Sequence, residues 1–238
     1  MQAFLAILRY DVEQLTRSWV TRVWILLLVV PALFLVAVAA NEKELASETM
    51  AAYIAAVLAP FSALAVAVIA SSAVSGEASI IADSIMSRSV TRTEYISAKI
   101  IARMGFTLAV YLAVMIPFAY LIIRYAAADT SIAGVVAGVL MVALLLAFLA
   151  AFGLTMSTLL SNVLMAVLAV LLVIVLSGVV LQFLGLTWMS TTAVIEALPR
   201  TFRGQSSSWD VARVIVVFPS LTAASLFTSI WVFRRKDL

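Results

Sequence analysis

The sequence predicts an all-α membrane protein, with six transmembrane helices preceded by an amphipathic interfacial elbow helix. Three observations carry this prediction. Hydrophobic residues make up 65% of the chain and charged residues 11%, and the mean hydropathy is +1.19. Apolar runs of 18 or more residues recur along it, each long enough to cross about 30 Å of hydrocarbon as a helix. The runs are continuous and rich in Ala, Leu and Val, unlike the short alternating strands by which a barrel satisfies its backbone in lipid.

The elements follow in order. Residues 1–21 alternate with helical period: Phe4, Leu8, Val12, Leu15 and Trp19 share one face, and Arg9, Glu13 and Arg17 form a charged row on another. Such a helix lies in a membrane interface with its apolar face down. The remainder, 22–238, forms one membrane domain with spans at about 23–40, 50–74, 104–123, 132–156, 163–184 and 212–233. The fourth and fifth spans are separated by the only polar cluster in their stretch, Ser157, Thr158, Ser161 and Asn162. The first apolar run starts near Val23 behind the amphipathic segment, so no cleavable signal pattern is expected. Pro31, Pro60, Pro117 and Pro219 fall within four spans, where each removes a backbone hydrogen bond and favours a kink. Gly134 and Gly138 form a GxxxG pattern that permits close helix approach, by chance or for a dimer contact. All five Trp lie near span ends, as expected of headgroup anchors.

Lys and Arg set the orientation. With the N-terminus in the cytoplasm, that side holds ten of them and the outside five, namely Lys43, Arg124, Arg200, Arg203 and Arg213. Both termini are therefore expected in the cytoplasm. The segment 185–211 is then external. Within it "TTAVIEAL" is too short to span and reads as a re-entrant or surface-lying helix ended by Pro199.

Between the second and third spans, Ser75–Arg103 carries seven charges: Glu77, Asp83, Arg88, Arg92, Glu94, Lys99 and Arg103. Ile80, Ile81, Ile85 and Met86 recur in it near helical spacing, which makes a short amphipathic helix. Thr93 is expected to cap the helix that follows. A plain loop needs neither that periodicity nor that length, whereas a membrane-lying or partner-docking helix needs both.

The order of elements resembles the ABC-2-type transporter permeases, membrane subunits of ATP-driven exporters. The residues that carry the resemblance are "SGE" with Glu77, "MSRSVTR" with Arg92, "SAK" with Lys99, and the basic tail "FRRKDL". Ser89 stands where the family usually has Pro, and Ala98 where Gly usually precedes the Lys, which implies a less rigid turn. The resemblance implies that the insert, about 76–97, is a coupling helix docking on a separate ABC ATPase. Glu77, Asp83, Ile85, Met86, Arg88, Arg92 and Lys99 would form its contact surface. It implies a prokaryotic inner-membrane exporter permease that pairs with a second copy or a paralogue. ATP and Mg would be held by the partner ATPase and no cofactor by this chain. Membrane lipid is the other partner, and a net charge of +3 gives no case for nucleic acid.

Enzymatic chemistry finds little to work with. There is no Cys and no His, hence no Ser-His dyad, zinc helix or haem ligation by His. A phosphate-binding G-x-x-x-x-G-K-[ST] loop does not occur. From Thr130 to Ile195 no residue is charged, so the fourth and fifth spans offer no proton relay of the kind an ion-driven carrier uses. The alternative reading is a non-transporting membrane scaffold or assembly subunit, with the insert as its interaction loop.

Overall fold

The computed structural model describes residues 2–75, 91–186 and 190–235. The described elements are all helices: α1 Gln2–Arg17, α2 Trp19–Glu42, α3 Ala46–Tyr53, a π-helical turn Ile54–Leu58, α4 Ala59–Ser75, α5 Arg92–Tyr125, α6 Ile132–Leu159, α7 Val163–Phe183, α8 Thr191–Phe202 and α9 Ser208–Arg235. Six helices are long and apolar enough to cross a membrane: Trp19–Glu42, Ala46–Val74 (α3 through α4), Arg92–Tyr125, Ile132–Leu159, Val163–Leu181 and Ser208–Arg235. The protein is thus an all-α, multi-pass membrane protein. α6 lies at the centre, packed against α4, α5, α7, α8 and α9.

Helices overrun their apolar runs because local chemistry, not hydropathy, ends them. α5 starts at Arg92, well ahead of the apolar run, so Arg92–Ser97 belong to the third span and not to a separate insert helix. Its cap is Thr91, not Thr93. The Thr91 hydroxyl accepts from the Glu94 amide (3.2 Å) and the Glu94 carboxylate accepts from the Thr91 amide (3.2 Å), the reciprocal T-x-x-E box. The turn between α6 and α7 is narrower than the polar cluster suggested. Ser157 and Thr158 are buried in the last turn of α6, while Asn162 accepts from the Leu164 amide (2.8 Å) at the start of α7.

Proline acts differently in different helices. Pro31, Pro117 and Pro219 lie inside continuous helices. Pro60 follows the π-helical turn, in which the Ala59 amide donates to the Ile54 carbonyl five residues back. The Pro60 ring excludes the carbonyl four residues before it, and the wider turn accommodates that loss. Pro199 does not end α8, which runs on to Phe202, with Arg203 still donating to the Pro199 carbonyl (3.2 Å).

α8 starts beside Gly178 of α7, packs Val194 with Met141 and Leu145 of α6, and ends where the Ser131 amide donates to the Phe202 carbonyl (2.9 Å). The GxxxG pair receives this end within the chain. A Cβ at Gly138 would overlap the Phe202 ring, and one at Gly134 would overlap the carbonyl oxygens of Thr201 and Phe202.

Trp24 is not a headgroup anchor. It is 2% exposed, and its indole N–H donates to Ser62 Oγ (3.2 Å) across the α2–α4 contact. Trp19, Trp209 and Trp231 are exposed, and Trp188 lies outside the described residues. Buried hydroxyls tie further helices together: Tyr53 donates to the Leu28 carbonyl (3.0 Å), Tyr111 to Val139 (2.8 Å) and Thr155 to Ser225 (2.8 Å). Without a hydrophobic force between helices in lipid, such bonds and close packing supply the adhesion.

Candidate functional site: an ion network at the root of the charged insert

α1 forms where its period placed it, and the charged row is real: Arg17 pairs with Glu13 at 2.7 Å. The buried face differs from the expected stripe. Trp19 is 75% exposed, whereas Asp11, between Leu8 and Leu15 on the inner face, is 0% exposed. That face packs along α5.

Asp11 meets two cations one helical turn apart on α5. Lys99 Nζ lies 2.7 Å from Asp11 Oδ1. Arg103 Nε lies 3.1 Å from Oδ2, and its Nη2 lies 3.2 Å from Oδ1. The i, i+4 spacing of Lys99 and Arg103 puts both on the same face of α5, so one carboxylate can bridge them. One carboxylate does not neutralise two cations, and α4 adds two neutral acceptors to Arg103. Arg103 Nη1 donates to Ser72 Oγ (2.8 Å) and to the Ile69 carbonyl. The Lys99 ammonium also stands 5.7 Å from the centre of the Tyr95 ring.

Neighbouring contacts extend the network to the ends of α6 and α9. Tyr95 stacks on Phe233 of α9 with ring centres 5.8 Å apart. Arg92 Nη1 donates to the Arg234 carbonyl (3.3 Å). The Val74 amide donates to Ser157 Oγ of α6 (2.9 Å). The residues on either side of 76–90 are therefore fastened to α1, α6 and α9.

The expected docking residues fare unequally. Glu77, Asp83, Ile85, Met86 and Arg88 lie outside the described residues. Arg92 sits at the first position of α5 and reaches the C-terminal end of α9. Lys99 cannot present a charge to a partner surface: it is 1% exposed and bonded to Asp11. Asp11 was missed by sequence reasoning, although an acid set between Leu8 and Leu15 within an apolar helical stripe is a visible signal.

The opposite face, carrying the loops 43–45, 126–131 and 203–207, has its own network. Asp129 accepts from the Ser47 amide (2.8 Å), from the Ser47 hydroxyl, and from Arg203 Nε (3.0 Å). Arg203 Nη2 donates to Glu48 (2.6 Å). Burial raises the Asp129 pKa, but the hydrogen bonds from Ser47 and Arg203 outweigh it and hold the carboxyl below its ordinary value. A parallel bridge between Leu45 and Ala127 adds two backbone bonds, Ala46 to Ala127 (3.0 Å) and Ala127 to Glu44 (2.9 Å).

Each network joins side chains from separate helices and loops. What both can do is fix helix ends to one another. No protein-family model matches the chain, and no curated protein matches it.

Proposed function

We propose that the chain is the permease subunit of an ABC exporter in a prokaryotic inner membrane, forming a pathway as a pair of permease chains and driven by separate ATPase subunits. The observation that carries this reading is the fastening of both flanks of the insert: α4 through Ser72 and Ile69, and α5 through Lys99 and Arg103, all reached by one network around Asp11. A force applied to 76–90 would reach the second and third spans together, which is what a coupling element requires. ATP and Mg would be bound by the partner, whose closure would move the insert. In this reading both termini face the cytoplasm.

The test is co-purification of the full chain with any P-loop ATPase encoded beside it. Met86→Asp and Arg88→Glu, in the insert, should release the ATPase while leaving the permease inserted and monodisperse. Lys43→Glu, on the other face, should retain it. If both insert variants keep the ATPase and full transport, or no adjacent ATPase associates, the exporter reading fails and the scaffold reading takes its place.

A further inference from the structure

A pocket of about 440 Å³ opens between α8 and the first turns of α9, with Met141 of α6 in its lining. This lies within the usual range of roughly 300–1,000 Å³ for small-molecule sites. Its wall is apolar at Met141, Val194 and Val214, and its rim carries Glu196, Arg200, Asp210 and Arg213. Met141 lies nine residues into α6, about 13 Å along the axis at 1.5 Å per residue. Val214 lies six residues into α9, about 9 Å along it. The pocket therefore runs from the polar loops into the depth where hydrocarbon begins.

The rim is balanced, two guanidiniums against two carboxylates. Arg213 Nη1 stands 4.0 Å from Asp210, and its guanidinium lies over Trp209 at 5.1 Å. A purely anionic ligand would meet Glu196 and Asp210, and a purely cationic one would meet Arg200 and Arg213. A zwitterion satisfies both. Guanidinium forks suit a phosphate. Two carboxylates, which only accept, suit an ammonium with N–H donors better than a quaternary amine, which they attract by charge alone. Trp209 and Val216, seven residues apart and so on one stripe of α9, are exposed next to Arg213, whose guanidinium covers Trp209, and such an apolar flank suits an acyl chain more than a soluble headgroup.

We propose that this pocket seats one phosphatidylethanolamine molecule, with its phosphate on Arg200 and Arg213, its ammonium on Glu196 and Asp210, and a chain along α9. The inference does not depend on the transport reading. The test reconstitutes the full chain in nanodiscs of equal phosphatidylethanolamine, phosphatidylcholine and phosphatidylglycerol, then counts retained lipids by native mass spectrometry after mild extraction. Phosphatidylethanolamine should be retained at about one per chain and roughly tenfold over either competitor, a factor that corresponds to about 1.4 kcal/mol. Arg200→Gln with Arg213→Gln should abolish that retention. Glu196→Gln with Asp210→Asn should shift it towards phosphatidylglycerol. Retention of the three lipids at their input ratio by the wild-type chain alone overturns the proposal, whatever the variants do. So does retention unchanged in both double variants. Displacement by soluble glycerophosphoethanolamine as readily as by the lipid would assign the site to a soluble zwitterion instead.

Discussion

Asp11 holds two cations in a space that admits almost no water. Taking one member from a buried charge set strands the others, at a cost of about 3–5 kcal/mol, whereas replacing the whole set with apolar groups is often neutral or stabilising. Asp11→Asn should therefore lower the thermal midpoint of the detergent-purified protein markedly. The triple variant Asp11→Leu, Lys99→Met, Arg103→Leu should recover much of the loss, and tryptophan fluorescence would follow both transitions. An Asp11→Asn protein as stable as the wild type would deny the network any structural role. Asp129 allows a pH test. Its folded pKa is depressed, so its contribution is fully present above the unfolded value of about 3.9 and is lost as pH falls through the lower folded value. The stability gap between wild type and Asp129→Asn should be constant near neutrality and close below about pH 4; a gap that stays open there removes the charge from the explanation. Sequence reasoning reached Lys99 and the period of α1 but not their meeting, because Asp11 and Lys99 are 88 residues apart in the chain. A chain read alone shows which helix face is apolar. It does not show which two faces meet.

At the scale of elements, the six spans were legible because crossing hydrocarbon demands a length of apolar chain that few other structures need. Their ends were not, since caps and loops decide them: Thr91 with Glu94 begins α5 well before its apolar run. The second span shows what hydropathy hides altogether. Its loop-side half, α3, is pinned through Ser47 to Asp129 and Arg203, and its other half, α4, is pinned through Ser72 and Ile69 to Arg103. Between them lies the π-helical turn Ile54–Leu58, which carries one residue more than an α-helix would use. Deleting Ala56 should remove that extra residue and restore α-helical pitch with the faces of both halves kept, so both pins should survive. Deleting Val57 as well should rotate one half against the other by about 100°, and both pins cannot survive that rotation. Cysteine pairs report it in a chain that has no native Cys: Leu45→Cys with Ala127→Cys at one end, and Val74→Cys with Ser157→Cys at the other. Both pairs should cross-link in the full-length chain and in the single deletion, and only one in the double deletion. Loss of a cross-link in the single deletion would mean that the turn does more than absorb one residue between the halves.

Across the whole molecule, polar chemistry is gathered at two faces with apolar helices between. The end of α9 at Arg235, the residues flanking 76–90, the α1 network and the α6–α7 end belong to one face, and the 43–45, 126–131 and 203–207 loops to the other. Which loops share a face follows from the contacts; which face meets the cytoplasm rests on the ten-to-five distribution of Lys and Arg. The two claims separate experimentally. Single Cys reporters at Lys43, Gln205 and Arg17, all exposed, can be treated with an impermeant thiol reagent. Lys43→Cys and Gln205→Cys should label in intact cells, and Arg17→Cys only after lysis. Labelling of Arg17→Cys alone in intact cells would preserve the fold and invert the protein. The insert would then lie away from cytoplasmic ATP, and the exporter proposal would fall while the helix arrangement stood. Opposite behaviour of Lys43→Cys and Gln205→Cys would strike at the arrangement itself, because Arg203 and Glu48, their near neighbours, form a 2.6 Å ion pair that needs both loops on one side.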